Sequence, residues 1–413
     1  MSNTQAFDRL AEQSMLYHPR RHPTPELIRR AAALGWQGNL WHCSLTHDII
    51  ADENPFSLAC ERREAPHDSL WALALHDMEL YRQLFSMTPE APTAGLLADF
   101  RHESVMALSP AARQISALAE KLAAASSAEE LLVLVTAHYA AQGVGTLGMG
   151  QLFRVEERRG HARLFPVDNR RPVHLADLVG YESQKAQLLE NTLAFLRGRH
   201  ANNVLLYGDA GTGKSTSIQA IANEYADRGL RLIELYKHQF SLIPDLLSQI
   251  KGRNYRFVLF LDDLSFEENE VEYKHLKAVM EGGAEAAPEN VLIYATSNRR
   301  HLIKETWNDR SDMEHDGDIH RSDTMEEKLS LAGRFGLQIF YPNPSFEEYH
   351  AIVRGLAERS PALAGLSAQE LRAAAATWQV RRGSRSGRTA QQFINDLVCR
   401  RDESNESENT DPC

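Results

Sequence analysis

The sequence predicts an α/β fold: a parallel sheet flanked by helices around a P-loop, preceded by a mainly helical N-terminal domain and followed by a helical lid. Three observations carry that prediction. Short apolar runs alternate with helical patterns from Asp177 onward, one run ends in a glycine-rich loop with a lysine, and another ends in two adjacent carboxylates.

From about Phe7 to Ala141, apolar residues recur at three- and four-residue spacing over Leu27 to Leu34, Leu70 to Phe85 and Ile115 to Tyr139, with proline-containing breaks between these stretches. Such spacing buries one face of a helix, so residues 1–164 are expected to form a mainly helical accessory domain that binds a partner. Gly143-Val-Gly145-Thr-Leu-Gly148 has the spacing of a dinucleotide fingerprint. It follows a helical stretch and precedes the strand-like Leu152-Phe-Arg-Val155, the reverse of what a cofactor loop needs, and is read as a helix-ending turn. Residues 165–174, with Pro166 and Pro172, read as a linker.

Strands are expected at Val204 to Tyr207, Leu232 to Leu235, Phe257 to Leu261, Val291 to Ala295 and Leu337 to Phe340, with helical patterns between them. That alternation gives a core over 175–341 whose sheet is parallel and covered on both faces. After Pro342-Asn-Pro344 the pattern is helical again, at Phe346 to Glu358, Ser367 to Trp378 and Thr389 to Arg400, so 342–400 is expected to be the lid. Residues 401–413 are polar and acidic with nothing to bury and read as a disordered tail.

The chemistry begins where the first core strand ends. Gly208-Asp209-Ala210-Gly211-Thr212-Gly213-Lys214-Ser215-Thr216 lets backbone N–H groups turn inward around phosphates, with Lys214 as the cation for the β- and γ-phosphates and Ser215 as a hydroxyl for Mg²⁺. The apolar spacing of Ile218, Ile221, Ala222 and Tyr225 puts a helix N-terminus behind that loop, which favours an anion. A nucleoside triphosphate is the expected ligand. Phe257 to Leu261 then leads into Asp262, expected to hold Mg²⁺, and Asp263, placed to polarise the attacking water. Val291 to Ala295 leads to Asn298, whose amide is expected to orient that water or read the γ-phosphate.

Together these motifs resemble the AAA+ superfamily over about Leu175 to Leu397, and more narrowly a bacterial AAA+ family of unknown function. The resemblance implies ATP with Mg²⁺, and an adenine pocket shaped by Asp177-Leu-Val179-Gly180-Tyr181. It implies a sensor-1 role for Asn298, an arginine finger at Arg334 in Lys328-Leu-Ser-Leu-Ala-Gly-Arg-Phe-Gly336, and a sensor-2 role for Arg388, with Arg385 the competing position. A finger acting in trans implies a homo-oligomer, expected as a ring, that couples hydrolysis to remodelling or loading of a protein or nucleic-acid client. The superfamily's usual glutamate after the Walker B aspartate is Asp263 here, one methylene shorter, so Glu267 is a candidate helper. Initiators and helicase loaders of the superfamily often carry that aspartate pair, which keeps a DNA-associated loader open beside a nucleotide-gated switch.

Bulk properties narrow the field further. With 413 residues and 43% hydrophobic content the chain can bury more than one core. Its net charge of −11 argues against coating nucleic acid by charge alone. No apolar run is long enough to span a bilayer and no secretion signal opens the chain, so no membrane partner and a cytoplasmic location are expected. His42-Cys43-Ser-Leu-Thr-His47 has no second ligand pair and is not read as a zinc site, and Asp309 to His320 reads as a solvated insertion.

Overall fold

The computed structural model describes residues 3–87, 94–101, 110–167, 172–265, 272–281, 287–298 and 331–408. Glu267, Arg299, Arg300 and the Asp309 to His320 segment lie outside them. The chain divides into two compact units: Met1–Pro172 with Ala226–Ile233 and Ser248–Arg256, and Val173–Tyr225 with Glu234–Leu247 and Phe257–Cys413. The main boundary falls between Pro172 and Val173.

The first unit is built on helices α1 (Asn3–Gln13), α2 (Thr24–Leu34), α3 (Leu40–Ala51), α4 (Pro55–Glu61), α5 (Asp68–Ser86), α6 (Ala94–Ala98), α7 (Pro110–Ala124), α8 (Ala128–Gln142) and α9 (Gly145–Met149). Helix α3 is its centre. Leu40, Trp41, Cys43, Leu45, Ile49 and Ile50 are all buried, too many for one face, as expected of a helix surrounded by others. Asn39 caps its start by accepting from the Trp41 and His42 N–H groups. Burial pushes the Cys43 thiol up to about 11, and His42 Nε2 sits 3.0 Å from the Phe85 carbonyl, so both side chains belong to the helical core. The apolar stretch from Ile115 to Tyr139 is two helices rather than one. Ser127 caps α8 through the Glu130 N–H, a Ser-x-x-Glu signal that the continuous apolar spacing masks.

Gly143 does end a helix, α8, at φ +87°, while Gly145 and Gly148 fall in the short α9. These glycines make room for side chains and backbone. A Cβ on Gly143 would lie 1.3 Å from the Tyr255 hydroxyl and one on Gly145 2.0 Å from the Glu53 carboxylate. Tyr255 donates to the Gln142 carbonyl at 2.6 Å, and Arg253 donates from Nε and one terminal nitrogen to Glu61, at 2.6 and 2.7 Å, and from the other to Glu53 at 3.1 Å. The hairpin β1 (Leu152–Arg158) and β2 (His161–Pro166) closes this unit, so Phe165 and Pro166, expected in the linker, are strand residues.

The second unit holds α10 (Glu182–Leu196), β3 (Val204–Gly208), α11 (Lys214–Glu224), α13 (Glu272–Met280), β6 (Val291–Ser297) and β7 (Leu337–Tyr341). Elements β4 (Leu230–Leu235), α12 (Ile243–Ile250) and β5 (Arg256–Leu261) run across the division. The sheet has seven strands in the order β2-β1-β4-β5-β6-β3-β7. Strands β5, β6, β3 and β7 pair in parallel; β5 and β6 are buried on both faces, as their near-continuous apolar runs require, while β7 at the edge buries alternate residues only. Register sets the site. Leu261 lies opposite Ala295 and Tyr207 opposite Ser297, so β5 stops two residues short of the end of β6, and Asp262 and Asp263, which follow it, come beside Thr296.

Helices α14 (Phe346–Glu358), α15 (Ala368–Arg382) and α16 (Gly387–Glu408) follow, around their own apolar cluster of Tyr349, Ile352, Val353, Leu371, Ala375 and Phe393. Ser345 and Ser367 open α14 and α15 with reciprocal capping boxes to Glu348 and Glu370. Helix α16 continues to Glu408, past Arg400, so most of the expected tail is helical. Among the described residues no helix is long and apolar enough to cross a membrane.

Candidate nucleotide-binding site

Strand β3 ends at Gly208, whose φ of +136° and contact with the next strand admit no side chain: a Cβ would lie 2.0 Å from the Tyr341 carbonyl oxygen. The chain then turns through Asp209 to Gly213 into α11, which starts at Lys214 without any side-chain cap. Its first N–H groups therefore remain available at the helix's positive end, the requirement for binding an anion. Thr212 braces the turn by donating to the Asp209 carbonyl at 2.9 Å.

Lys214 is 6% exposed. Its ammonium donates to the carbonyls of Gly208 at 2.9 Å and Asp209 at 2.7 Å, and to Asn298 Oδ1 at 3.0 Å, so all three donors meet oxygen. Burial pulls its pKa below the ordinary lysine value, opposed by Asp209, Asp263 and Asp262. Phosphate oxygens accept from an ammonium just as the three oxygens it now meets do.

The two acids stand at the exposed end of β5. Ser215 Oγ donates to Asp262 Oδ1 at 2.6 Å, which brings together a hydroxyl and a carboxylate, the hard oxygen donors that Mg²⁺ takes. Asn298 Nδ2 donates to Asp263 Oδ1 at 2.8 Å. Thr296, buried in β6, links the pair: its hydroxyl donates to Asp262 Oδ1 at 2.5 Å and accepts from the Asp263 N–H at 2.9 Å. Asp263 is held at φ +52°, a left-handed conformation that aspartate tolerates better than most side chains.

These groups open on a cleft of about 1360 Å³ lined by Ala210 to Thr216, Asp262, Asp263, Asn298 and Arg388. Val179 lines it too, while Gly180, at φ +83°, turns the chain into α10 behind it. Gly208 and Asp209 open the loop, and Asp209 Oδ2 accepts from the Asn343 N–H at 3.1 Å. Of the two competing arginines, Arg388 lines the cleft and Arg385 does not. Arg334 is not brought to the cleft either: it pairs with Glu281 at 2.9 Å and its side chain is 43% exposed. Sequence reasoning missed Thr296, Arg359 and the lid's apolar wall of Ile352, Leu356 and Ile394. The only advance signal for Thr296 was a hydroxyl in an otherwise apolar strand.

A parallel sheet with a P-loop at one strand end, paired acids at another and a helical lid defines the class as a P-loop α/β fold of the AAA+ type. Within it the chain belongs to the family described as "Protein of unknown function (DUF815)", which matches residues 150–401. The ATP-dependent zinc metalloprotease FtsH 1 of Sphaerobacter thermophilus is 25% identical over 240 residues, 52% of this chain and 33% of that protein. The replication factor C large subunit of Staphylothermus marinus is 36% identical over 77 residues, 18% of each chain. This chain thus spans a third or less of either relative. Among solved structures, the FIGL-1 AAA domain in complex with ADP has 17% identity and a TM-score of 0.34, covering 54% of this chain and 84% of that one. The RuvB Holliday junction branch migration motor of Thermotoga maritima has 17% identity and a TM-score of 0.31, covering 55% and 72%.

Proposed function

We propose that this chain binds ATP with Mg²⁺ in the cleft and hydrolyses it as part of a homo-oligomer, using the cycle to remodel or load a macromolecular partner selected by the helical unit. The observation that supports this most is the convergence of Lys214, Ser215, Asp262, Asp263 and Asn298 at the uncapped start of α11. In this reading the loop amides and Lys214 bind the β- and γ-phosphates, and Ser215 and Asp262 hold Mg²⁺. The ion supplies charge neutralisation at the phosphate oxygens. Asp263 accepts a hydrogen bond from the attacking water, with Asn298 fixing the carboxylate that does so. Arg388 reaches the cleft from the lid, tying lid position to the phosphates. Arg334, turned to Glu281 rather than to its own cleft, is available to serve a neighbouring subunit's nucleotide.

Hydrolysis by the intact chain, its loss in Lys214→Ala and Asp263→Asn, and partial recovery when Arg334→Ala is mixed with Asp263→Asn test the reading. No recovery at any ratio contradicts the shared site. A nucleic-acid client is the second reading, favoured by Arg381 and Arg382 at the exposed end of α15 and Arg385 in the turn that follows it. Among the described residues none of the three has a hydrogen-bonded or ion-paired partner, and Arg382 only lies over the Trp378 ring. DNA-stimulated turnover that falls steeply with salt separates this reading from a protein client.

A further inference from the structure

Arg359 stands at the C-terminal cap of α14, the first lid helix, and reaches back to the segment that precedes α10. Its guanidinium donates to the Asp177 carbonyl at 2.8 Å and to the Ala176 carbonyl, and lies 3.4 Å from the Asp177 carboxylate. That segment, residues 173–181, is in turn fastened to the core. Asn223, at the end of α11, donates to the Val173 carbonyl at 2.9 Å, and Lys185 to the Leu178 carbonyl at 2.7 Å. The Tyr181 hydroxyl donates to the Pro342 carbonyl at 2.9 Å, where the chain crosses from β7 to the lid, and its ring stacks on Tyr341. Helix α14 also presses directly on the segment: a Cβ on Gly355 would lie 2.7 Å from Val179 Cγ2. Val173, Asp177, Leu178, Val179 and Arg359 all line the cleft.

We propose that Arg359 is a positioning residue that latches the lid onto this strap, and that the latch sets how slowly nucleotide leaves the cleft. The proposal rests on the reading that the cleft takes ATP. The strap cannot follow a moving lid, because it is bonded to α10, α11 and the chain crossing at Pro342; opening the lid therefore breaks the Arg359 contacts. A planar fork suits two successive carbonyls, which a lysine's single ammonium serves less well. The contact with the Asp177 carboxylate is half exposed and screened, so the carbonyl bonds carry most of the effect. Because a latch acts after the ligand has entered, its loss is read in the dissociation rate more than in the association rate.

The test is stopped-flow release of a fluorescent ADP analogue from the full chain, beside Arg359→Ala, Arg359→Lys and Gly355→Ala. Arg359→Ala is expected to release about 10-fold faster, the scale of a lost charged hydrogen bond, with association little changed and Arg359→Lys in between. Gly355→Ala forces α14 away from Val179 and is expected to speed release too, while alanine's gain in the helix offsets much of the strain and keeps the melting temperature within a few degrees of the parent's. A purely structural role would not separate release from melting in this way. Release within twofold of the parent in Arg359→Ala, or in Gly355→Ala and Arg359→Lys if Arg359→Ala does not fold, overturns the latch. Failure of the unaltered, folded chain to bind the analogue overturns the ATP reading beneath it and the latch with it.

Discussion

In the helical unit, Arg253 and Glu61 meet as a bidentate ion pair with side chains 7% and 1% exposed, and the Val144 N–H and carbonyl take up further bonds at 3.0 Å. In the second unit, Lys214, Asp262 and Asp263 are equally well supplied with partners, yet both acids are exposed at strand ends and face a cleft. Both clusters gather opposite charge within hydrogen-bonding distance. The closed one has no face left for a ligand, so its job is to hold loops together, whereas the open one satisfies itself with groups that a phosphate or a metal ion can replace. Exposure to a cleft, rather than proximity of charge, separates chemistry from scaffolding.

Substitutions should split along the same line. The largest effect is expected at the open cluster, where Asp263→Asn or Lys214→Ala should lower ATP turnover by roughly 10² to 10⁴ while leaving the thermal transition near that of the parent. Turnover within a few-fold of the parent in a steady-state assay would erase the distinction. Glu61→Ala reverses the pattern. It leaves the buried guanidinium with only the half-exposed Glu53 as counter-charge, and should cost about 3 kcal/mol in a denaturant titration. An unchanged midpoint would mean the pair is not structural.

Thr296→Val tests the junction between the two acids. It keeps the side chain's shape and removes only the hydroxyl shared by Asp262 and Asp263, so kcat should fall about 10-fold or somewhat more without loss of folding. An unaltered kcat would show that the strand ends alone position the carboxylates. The smallest effect is pH-linked. Burial works to raise the pKa of Asp77, but the N–H groups of Leu16, Tyr17 and Met15 outweigh it and hold the carboxyl below the ordinary range. Its contribution is then fully present above the unfolded carboxylate's pKa and is lost as pH falls through the lowered folded value. Asp77→Asn should therefore lose stability near neutrality and flatten the acid side of the stability profile, as followed by thermal melts from neutral to acid pH. A parallel downward shift at every pH would contradict the assignment.

Much of the cleft's geometry was legible because local chemistry and local period coincide there: an apolar run, a glycine loop, a lysine and a helix within a few residues. Thr296 was not, since threonine is an ordinary strand former and nothing nearby announces that its hydroxyl reaches two residues on another strand. Arg359 touches residues 182 and 183 positions away, and Arg253 meets Glu61 across 192, separations over which one sequence carries no pairing information. The break at Ser127 was hidden by apolar spacing that happens to continue across it. The β1–β2 hairpin was half seen, because Leu152 to Val155 reads as a strand while prolines disguise its partner as a linker.

The most direct test of the central claim is calorimetric titration of ATP into the folded chain, with Mg²⁺ and with a chelator, repeated for Asp262→Ala. Saturable binding that weakens at least about tenfold without Mg²⁺ in the parent, and that no longer responds to Mg²⁺ in Asp262→Ala, is the predicted result. No binding by the folded parent, or an Mg²⁺ response that survives in Asp262→Ala, would contradict it.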